Sequence, residues 1–480
     1  MEATVLTTAG RVRGVADGEA MAFLGVPYGA ARRFHPPEPP PPWSGVRDAT
    51  AFGPACPPTL SDPDRAYFAR SALWNQYAGY DVATRFSEDC LNLNVWTPAL
   101  DGGGRPVLVW LHGGGFSWGS GAGSLTRGDR LAARHGTVVV TVNHRLGVLG
   151  HLQLDGIPGS GVAGVLDLRL ALAWVRDNIA AFGGDPENVT IAGHSGGSAK
   201  VTTLLGLPAA RGLFSRAVMQ SGLMELEVLD HDHAAATAAQ LIERAGGADP
   251  AALPVDELTR LAAGLRLRPA LDGEHLPAHP FDAGADVPLL IGTNTHDTAT
   301  FKFEAAPGYD AVEDDAGLRA VVAAHPSAMY GDEAGAVIAA CPPGLTNAER
   351  LVHITTARLR ERTAALAERK LAAGTTPVYM YVFAYEAPMP PGEPFAGAPM
   401  ASHGLELPFT FDVADRVALT GDRPERLELA AFMSARVAAF ARDGDPGWPA
   451  YDPAERRTMV FDIPPRVESD PYGRDQVRDG

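Results

Sequence analysis

One short stretch decides the fold of this chain: residues 189–197 read Val189-Thr190-Ile191-Ala192-Gly193-His194-Ser195-Gly196-Gly197. Its first four residues form a short apolar run, its last five match the pattern G-x-S-x-G, and residues 198–205 have a helical pattern. A serine between a strand and a helix is held in a sharp, strained turn that pushes its hydroxyl outward. Ser195 is therefore a candidate nucleophile. In a chain with 53 glycines, a structural turn is the alternative.

Apolar segments on both sides of this stretch predict the rest of the fold. Most of them are continuously apolar and β-branched, as expected of strands buried on both faces of a parallel sheet: 107–111, 137–142, 189–192, 217–220, 288–291 and 378–383. Helical patterns lie between or after them, most clearly at 162–182, 348–373 and 425–442. This alternation predicts an α/β fold, with a doubly wound, mostly parallel central sheet flanked by helices.

The whole chain, residues 1–480, is expected to form one domain. Two stretches, at roughly 224–285 and 300–375, are helix-rich insertions and are candidates for walls or a cap around the site. The net charge of −17 argues against nucleic acid as a partner and gives no reason to expect a membrane partner. The sequence shows neither a basic and apolar leader nor an apolar run long enough to span a bilayer, so we expect a cytoplasmic protein. We further expect either a monomer or a dimer.

The three cysteines, Cys56, Cys90 and Cys341, indicate either three reduced thiols or one disulfide and one free thiol. No cysteine or histidine cluster has metal-ligand spacing, and His231 and His233 are typical of a solvated helix start. We therefore expect no metal and no organic cofactor.

A glycine-rich loop supplies candidate donors for an oxyanion. His112-Gly113-Gly114-Gly115-Phe116 follows the predicted strand 107–111. Glycines let backbone N–H groups face a ligand without interference from side chains, and an H-G-G-G motif after a central strand is typical of the oxyanion hole of lipases and esterases. A flexible turn is the alternative. The N–H of Gly196, at the start of the next helix, is a further candidate donor.

Chain order restricts the base and the acid. In α/β-hydrolases the nucleophile comes first, then the acid, then the histidine. His403 lies in a late loop after the predicted strand 378–383 and is the candidate base. Asp297 follows the strand 288–291, where a carboxylate at the carboxyl end of a strand fits the edge of a site. The competing acids are Glu304, Asp310 and Glu406.

Together, these blocks resemble the type-B carboxylesterase family, which includes bacterial para-nitrobenzyl esterases and, more distantly, cholinesterases. The resemblance covers nearly the whole chain and is carried by residues 23–28, 88–95, 143–147 and, most specifically, 173–186. It implies an α/β-hydrolase fold, Ser195 as nucleophile and His403 as base. The oxyanion donors that it implies are Gly114, Gly115 and Gly196.

The sequence departs from the family pattern at two site positions. The family acid is usually glutamate; Asp297 is one methylene shorter, and Glu304 would serve if Asp297 did not reach His403. The residue before the nucleophile is usually glutamate and here is His194, which removes a negative charge at neutral pH. We therefore expect no preference for quaternary-ammonium esters. His194 and Phe116 are candidates for setting specificity; the alternative for His194 is that it only packs or hydrogen-bonds.

Three further pairs follow from the resemblance. Cys56 and Cys90 match the positions of a disulfide that the family often carries. Arg33 with Glu88, and Arg145 with Asp167, resemble structural ion pairs of the family.

The sequence thus predicts a serine carboxylesterase that hydrolyses small to medium uncharged carboxylic esters through a Ser-His-Asp triad and an acyl-enzyme. Two alternatives are a hydrolase of carbamates, amides or one specialised ester, and a non-catalytic binding protein of the same fold.

Overall fold

The computed structural model describes residues 2–82, 85–222, 228–280, 284–300, 312–324 and 330–471. Its strands are β1 Glu2–Leu6, β2 Arg11–Asp17, β3 Ala20–Pro27, β4 Val46–Asp48, β5 Asn92–Thr97, β6 Arg105–Leu111, β7 Val138–Val142, β8 Gly184–His194, β9 Arg216–Gln220, β10 Leu289–Asn294, β11 Val378–Phe383, β12 Ala387–Pro388, β13 Pro399–Met400, β14 Arg457–Phe461 and β15 Arg466–Ser469. Its α-helices are α1 Asp62–Arg70, α2 Ala72–Tyr77, α3 Asp129–His135, α4 Gly147–His151, α5 Ala163–Asn178, α6 Gly196–Gly206, α7 His231–Arg244, α8 Val255–Leu261, α9 Asp315–Ala324, α10 Ala334–Ala339, α11 Asn347–Ala373, α12 Leu407–Thr410 and α13 Arg426–Asp443.

One large sheet organises these elements. Its strand order is β1-β2-β3-β5-β7-β6-β8-β9-β10-β11-β14-β15, with β4 paired to β2. The centre, from β7 to β14, is parallel throughout. Strands β1, β2, β3 and β5 at one side and β15 at the other edge pair antiparallel, whereas β4 pairs parallel with β2. The carboxyl ends of the central strands therefore open on one side of the sheet, where sites of open α/β sheets form.

The central strands are apolar because both faces of the sheet are covered. Along β6, Val107, Val109 and Leu111 pack into the core on one face. Leu108 and Trp110 pack into a second core on the other face. Helix α5 contributes to the first core and helix α13 to the second. A continuous apolar run is what this double burial requires, and it explains why these strands are readable in the sequence.

Local signals set the ends of the long helices. Helix α11 begins with a capping box, in which Thr346 and Glu349 each satisfy a backbone N–H of the other. Helix α13 ends at Gly444, which has a left-handed φ of 79° that glycine adopts without strain.

All six predicted strands and the three predicted helices are confirmed, with ends shifted by a few residues; the segment 162–182 is α5 bracketed by short 3₁₀ turns. Strands β1 to β5 and β12 to β15 were not among the predictions. Within the two predicted insertions lie helices α7 and α8 and then α9 to α11, while residues 223–227, 281–283, 301–311 and 325–329 fall outside the described part. The role of the two insertions as walls or a cap stays a prediction. So does the single domain over residues 1–480.

None of the helices in the described residues combines the length and the apolar character needed to cross a membrane.

Candidate active site

Ser195 occupies a strained turn between β8 and α6. Its φ of 55° and ψ of −122° lie outside the regions that non-glycine residues ordinarily adopt. Its backbone N–H donates to the carbonyl of Gln220 at 2.8 Å, which ties the turn to β9. Ser195 is partly exposed between buried neighbours. This is the geometry that the G-x-S-x-G pattern predicts for a nucleophile elbow.

The glycines of the motif are required by close packing. A Cβ on Gly193 would overlap the backbone of Gly197, and a Cβ on Gly197 would overlap the carbonyl oxygen of Leu111 at the end of β6. Helix α6 therefore starts in direct contact with the neighbouring strand. Any side chain at these positions would push the helix, and with it Ser195, away from the sheet.

The candidate oxyanion loop follows β6 and lies against the elbow. Gly114 and Gly115 have left-handed φ angles of 89° and 57°. A Cβ on Gly196 would overlap the backbone nitrogen of Gly115, so these two predicted donors are neighbours. The N–H of Gly196 opens α6 and has no acceptor within the helix. The loop and the helix start thus bring backbone donors together beside Ser195.

A buried lysine anchors this loop. Lys200, on α6, is fully buried, and its Nζ donates to the carbonyl of His112 at 2.8 Å. The ring of His112 stacks on that of His144 with centroids 4.8 Å apart. Burial, together with the charge of Lys200, holds the pKa of both histidines well below the ordinary value. The same two causes lower the pKa of His151 to about 3.

His403 and Asp297 meet at the carboxyl ends of β11 and β10. Nδ1 of His403 lies 2.5 Å from Oδ1 of Asp297, and both side chains are buried. Their loops are joined, since the backbone N–H of His296 donates to the carbonyl of Ala401 at 3.1 Å. The shorter acid therefore reaches the candidate base. The competing acids Glu304 and Asp310 lie outside the described residues.

Asp297 is held in its ionised form. Burial alone would raise its pKa, but hydrogen bonds from His403, from the backbone N–H of Asn294 at 2.8 Å and from Ser221 outweigh it. The pKa of Asp297 is therefore below its ordinary value. An ionised carboxylate at Nδ1 fixes the imidazole tautomer that leaves Nε2 able to accept a proton.

Glu406, the third competing acid, contacts a different histidine. Its Oε1 lies 2.9 Å from Nε2 of His194, and its Oε2 accepts a hydrogen bond from Nδ2 of Asn294 at 2.6 Å. His194 is fully buried, and its Nδ1 lies 2.6 Å from the hydroxyl of Tyr77. The expectation that His194 hydrogen-bonds is met by these contacts; its role in specificity stays a prediction.

Phe116, the other specificity candidate, is buried at the end of the oxyanion loop. Its ring meets the ring of His151 edge-on, with centroids 5.0 Å apart, and Nζ of Lys200 lies 5.8 Å from its centroid. Its role in specificity stays a prediction.

The pairs implied by the family resemblance are also neighbours. Arg145 and Asp167 form a buried ion pair at 2.6 Å, and Arg33 pairs with Glu88. Cys56 and Cys90 are buried and carry free thiols. Their hydrogen bond, followed by burial, raises the pKa of Cys90 well above the ordinary value. The two thiols are in contact, and the disulfide that the family resemblance implies stays a prediction.

A mostly parallel sheet flanked by helices, with a strained serine between strand and helix, defines an α/β-hydrolase fold. The chain belongs to the carboxylesterase family, whose family model matches residues 1–476. As a member of it, the chain is a carboxylic ester hydrolase.

Individual relatives are similar over almost the full length. The para-nitrobenzyl esterase of Bacillus subtilis (strain 168) is 34% identical over 502 residues, which cover 97% of this chain and 96% of that protein. The phenmedipham hydrolase of Pseudarthrobacter oxydans is 32% identical over 93% of each chain. Among solved structures, the Geobacillus stearothermophilus carboxylesterase EST55 superposes with a TM-score of 0.83, at 35% identity and over 98% of each chain.

Sequence reasoning missed several residues that build the site. They are Tyr77, Lys200, Ser221 and Asn294. Asn294 carried a readable signal, because it lies between the predicted strand 288–291 and Asp297, three residues from each. Tyr77 carried none, since it lies 117 residues from its partner His194.

Proposed function

We propose that this chain hydrolyses small to medium-sized uncharged carboxylic esters, with Ser195 as nucleophile, His403 as base and Asp297 as the acid that orients it. The single observation that carries the proposal is the buried 2.5 Å contact between His403 and Asp297. It joins the two residues that chain order selects downstream of the strained Ser195.

The proposed reaction is a two-step acyl transfer. Nε2 of His403 takes the proton of the Ser195 hydroxyl as the oxygen attacks the ester carbonyl. The negative charge that develops on the carbonyl oxygen is held by the backbone N–H groups of Gly114, Gly115 and Gly196. The protonated imidazole then gives its proton to the departing alcohol. Water repeats the sequence on the acyl-enzyme, which releases the acid and restores Ser195.

The preference for uncharged esters rests on His194. This residue is buried between Tyr77 and Glu406, so the position directly before the nucleophile presents an imidazole that is already engaged. We expect a choline ester to be turned over no better than its uncharged carbon isostere. Clearly faster turnover of the choline ester would contradict this part of the proposal.

The decisive experiment removes the nucleophile. Ser195→Ala and His403→Ala are expected to lower kcat about 10⁴- to 10⁶-fold on a simple ester. A serine-reactive phosphonate should label the unmodified protein once and Ser195→Ala not at all. Ser434→Ala is a matched control, because the hydroxyl of Ser434 lies 2.9 Å from Nε2 of a different histidine, His135. Wild-type turnover by Ser195→Ala would refute the proposal.

A panel of acyl chain lengths, alcohols, carbamates and amides would define the substrate class within the ester hydrolases. The cytoplasmic location and the monomeric or dimeric state predicted from the sequence also stay predictions, and the second can be measured by light scattering.

A further inference from the structure

A second imidazole–carboxylate pair lies directly beside the first. Nε2 of His194 is 2.9 Å from Oε1 of Glu406, and neither residue has any exposed surface. The ring centroids of His194 and His403 are 4.3 Å apart. The Nε2–H of His194 does not point along the line to the carboxylate, so this contact is electrostatic rather than an aligned hydrogen bond.

The carboxylates of Asp297 and Glu406 share two hydrogen-bond partners. Asn294 donates its backbone N–H to Asp297 at 2.8 Å and its side-chain Nδ2–H to Glu406 at 2.6 Å. The hydroxyl of Ser221 lies 3.4 Å from Oε1 of Glu406 and also hydrogen-bonds Asp297. Both His–carboxylate pairs are therefore parts of one buried polar network, in which a change at one carboxylate is felt at the other.

The two polar neighbours of His194 fix where its proton lies. A carboxylate next to Nε2 favours a proton on that nitrogen. The lone pair of Nδ1 then accepts the hydroxyl proton of Tyr77, whose oxygen is 2.6 Å away. In this arrangement Nε2 of His194 faces the carboxylate and Nδ1 faces the phenol. A second imidazolium at 4.3 Å would repel the one that His403 becomes during the reaction.

We propose that His194 and Glu406 are positioning residues for His403: they hold a neutral imidazole and an ionised carboxylate against it, so that its protonated form faces two buried negative charges rather than one. This inference rests on the proposed function, because it takes His403 to be the base. Neither residue is assigned contact with substrate.

Other titratable groups face this network from the elements packed around it. Tyr77, on α2, contacts both imidazole rings. Tyr381, on β11, is buried, and burial followed by the charges of Glu406 and Asp297 raises its pKa well above the ordinary value, so its phenol stays neutral. Lys200, on α6, directs its ammonium to the carbonyl of His112. Asp297 contacts His403 directly, and Glu406 contacts the adjacent ring of His194.

The test measures the pH at which kcat/KM falls on the acidic side. Glu406→Gln keeps the shape of the side chain and removes its charge, so the acid limb should move to lower pH by about one unit. Glu393→Gln is the matched control. Glu393 is also buried and accepts hydrogen bonds from Tyr67 and Ser71, and its variant should leave the acid limb in place.

An acid limb that stays in place in Glu406→Gln, or moves to higher pH, would overturn the inference, even if the melting temperature falls. A second measurement reads the tautomer of His194 in the folded protein. ¹⁵N-histidine NMR of the unmodified protein, at the pH of the turnover assay, should show one imidazole, assigned by its loss in His194→Gln, that carries its proton on Nε2 alone. An imidazolium at His194 under those conditions would also overturn the inference.

Failure of this inference is distinguishable from failure of the proposed function. If Ser195→Ala and Asp297→Asn abolish turnover while Glu406→Gln leaves the acid limb in place, the triad stands and only the second pair loses its role. If Ser195→Ala keeps its activity, the proposed function fails first.

Discussion

Asp297 Oδ1 and His403 Nδ1 lie 2.5 Å apart, with both side chains buried at the point where two loops meet. Asp297→Asn should lower kcat about 10³- to 10⁴-fold, because an amide in this place favours the imidazole tautomer with its proton on the wrong nitrogen. The measurement is steady-state turnover of a simple ester. Asp272→Asn is the control, since Asp272 pairs with His275 at 2.9 Å. An Asp297→Asn variant with unchanged kcat would assign the acid elsewhere.

The buried histidines near Lys200 predict acid-sensitive stability. The pKa values of His112, His144 and His151 are depressed by burial and by the charge of Lys200, so between the ordinary value of 6.5 and the folded-state value the unfolded chain binds more protons than the folded chain. The free energy of unfolding should therefore fall as the pH drops below 6.5, by roughly 1.4 kcal/mol per pH unit for each histidine. For His151 this window extends down to about 3.

Denaturant unfolding at a series of pH values measures this slope. His151→Gln should reduce the slope of the free energy of unfolding against pH by the contribution of one histidine. Replacing the exposed His231 should leave this slope unchanged. Stability that is constant between about pH 7 and 5 would show that these histidines are not buried as described.

The contact between α6 and β6 predicts intolerance of a methyl group at Gly197. Gly197→Ala places a Cβ where the carbonyl oxygen of Leu111 lies, so the helix must move and carry Ser195 away from the oxyanion loop. We expect a loss of kcat of at least about tenfold together with a lower melting temperature, as expected for overpacking. Gly335→Ala in α10 serves as control, because the atoms nearest to a Cβ there belong to the flexible guanidinium of Arg319. Full activity in Gly197→Ala would contradict the packing at the elbow.

The cysteines give a direct test of the disulfide that the family resemblance suggested. Cys56 and Cys90 are buried thiols, whereas Cys341 is partly exposed. A thiol reagent should therefore label Cys341 in the folded protein and all three cysteines after denaturation. In Cys56→Ser, the number of thiols labelled per denatured chain should fall by one. If only one thiol is labelled per denatured chain of the unmodified protein without reductant, Cys56 and Cys90 form a disulfide instead.

The sequence predicted the centre of the fold better than its edge. Strands β6 to β11 are buried on both faces, so their apolar runs are continuous. In strand β2, Arg11–Asp17, buried residues alternate with less buried ones, and the strand contains arginine and glycine. It therefore lacks the continuous apolar run that identifies the central strands in the sequence. Strand β5 is fully buried yet includes Asn94, whose amide is satisfied by the backbone of Gly25 and by Thr141. Such polar residues are readable only once their partners are known.

The site shows the same division. Ser195, Asp297 and His403 could be predicted because each follows a strand in a fixed chain order. The role of Glu406 could not be read in this way, because a carboxylate three residues after a histidine is equally suitable as an acid or as a partner of another side chain. What decides is the three-dimensional proximity of His194, which brings the end of β8 against the loop before α12.

The separation of the candidate triad along the chain has one practical consequence. Asp297 and His403 are 106 residues apart, and Ser195 lies on a third loop carried by a different strand. Such long-range contacts form slowly in folding, because the entropy of closing a long loop is lost before the contact stabilises the chain. Recovery of ester turnover after dilution from denaturant would therefore report completion of the whole central sheet, whereas the return of helical circular dichroism would precede it.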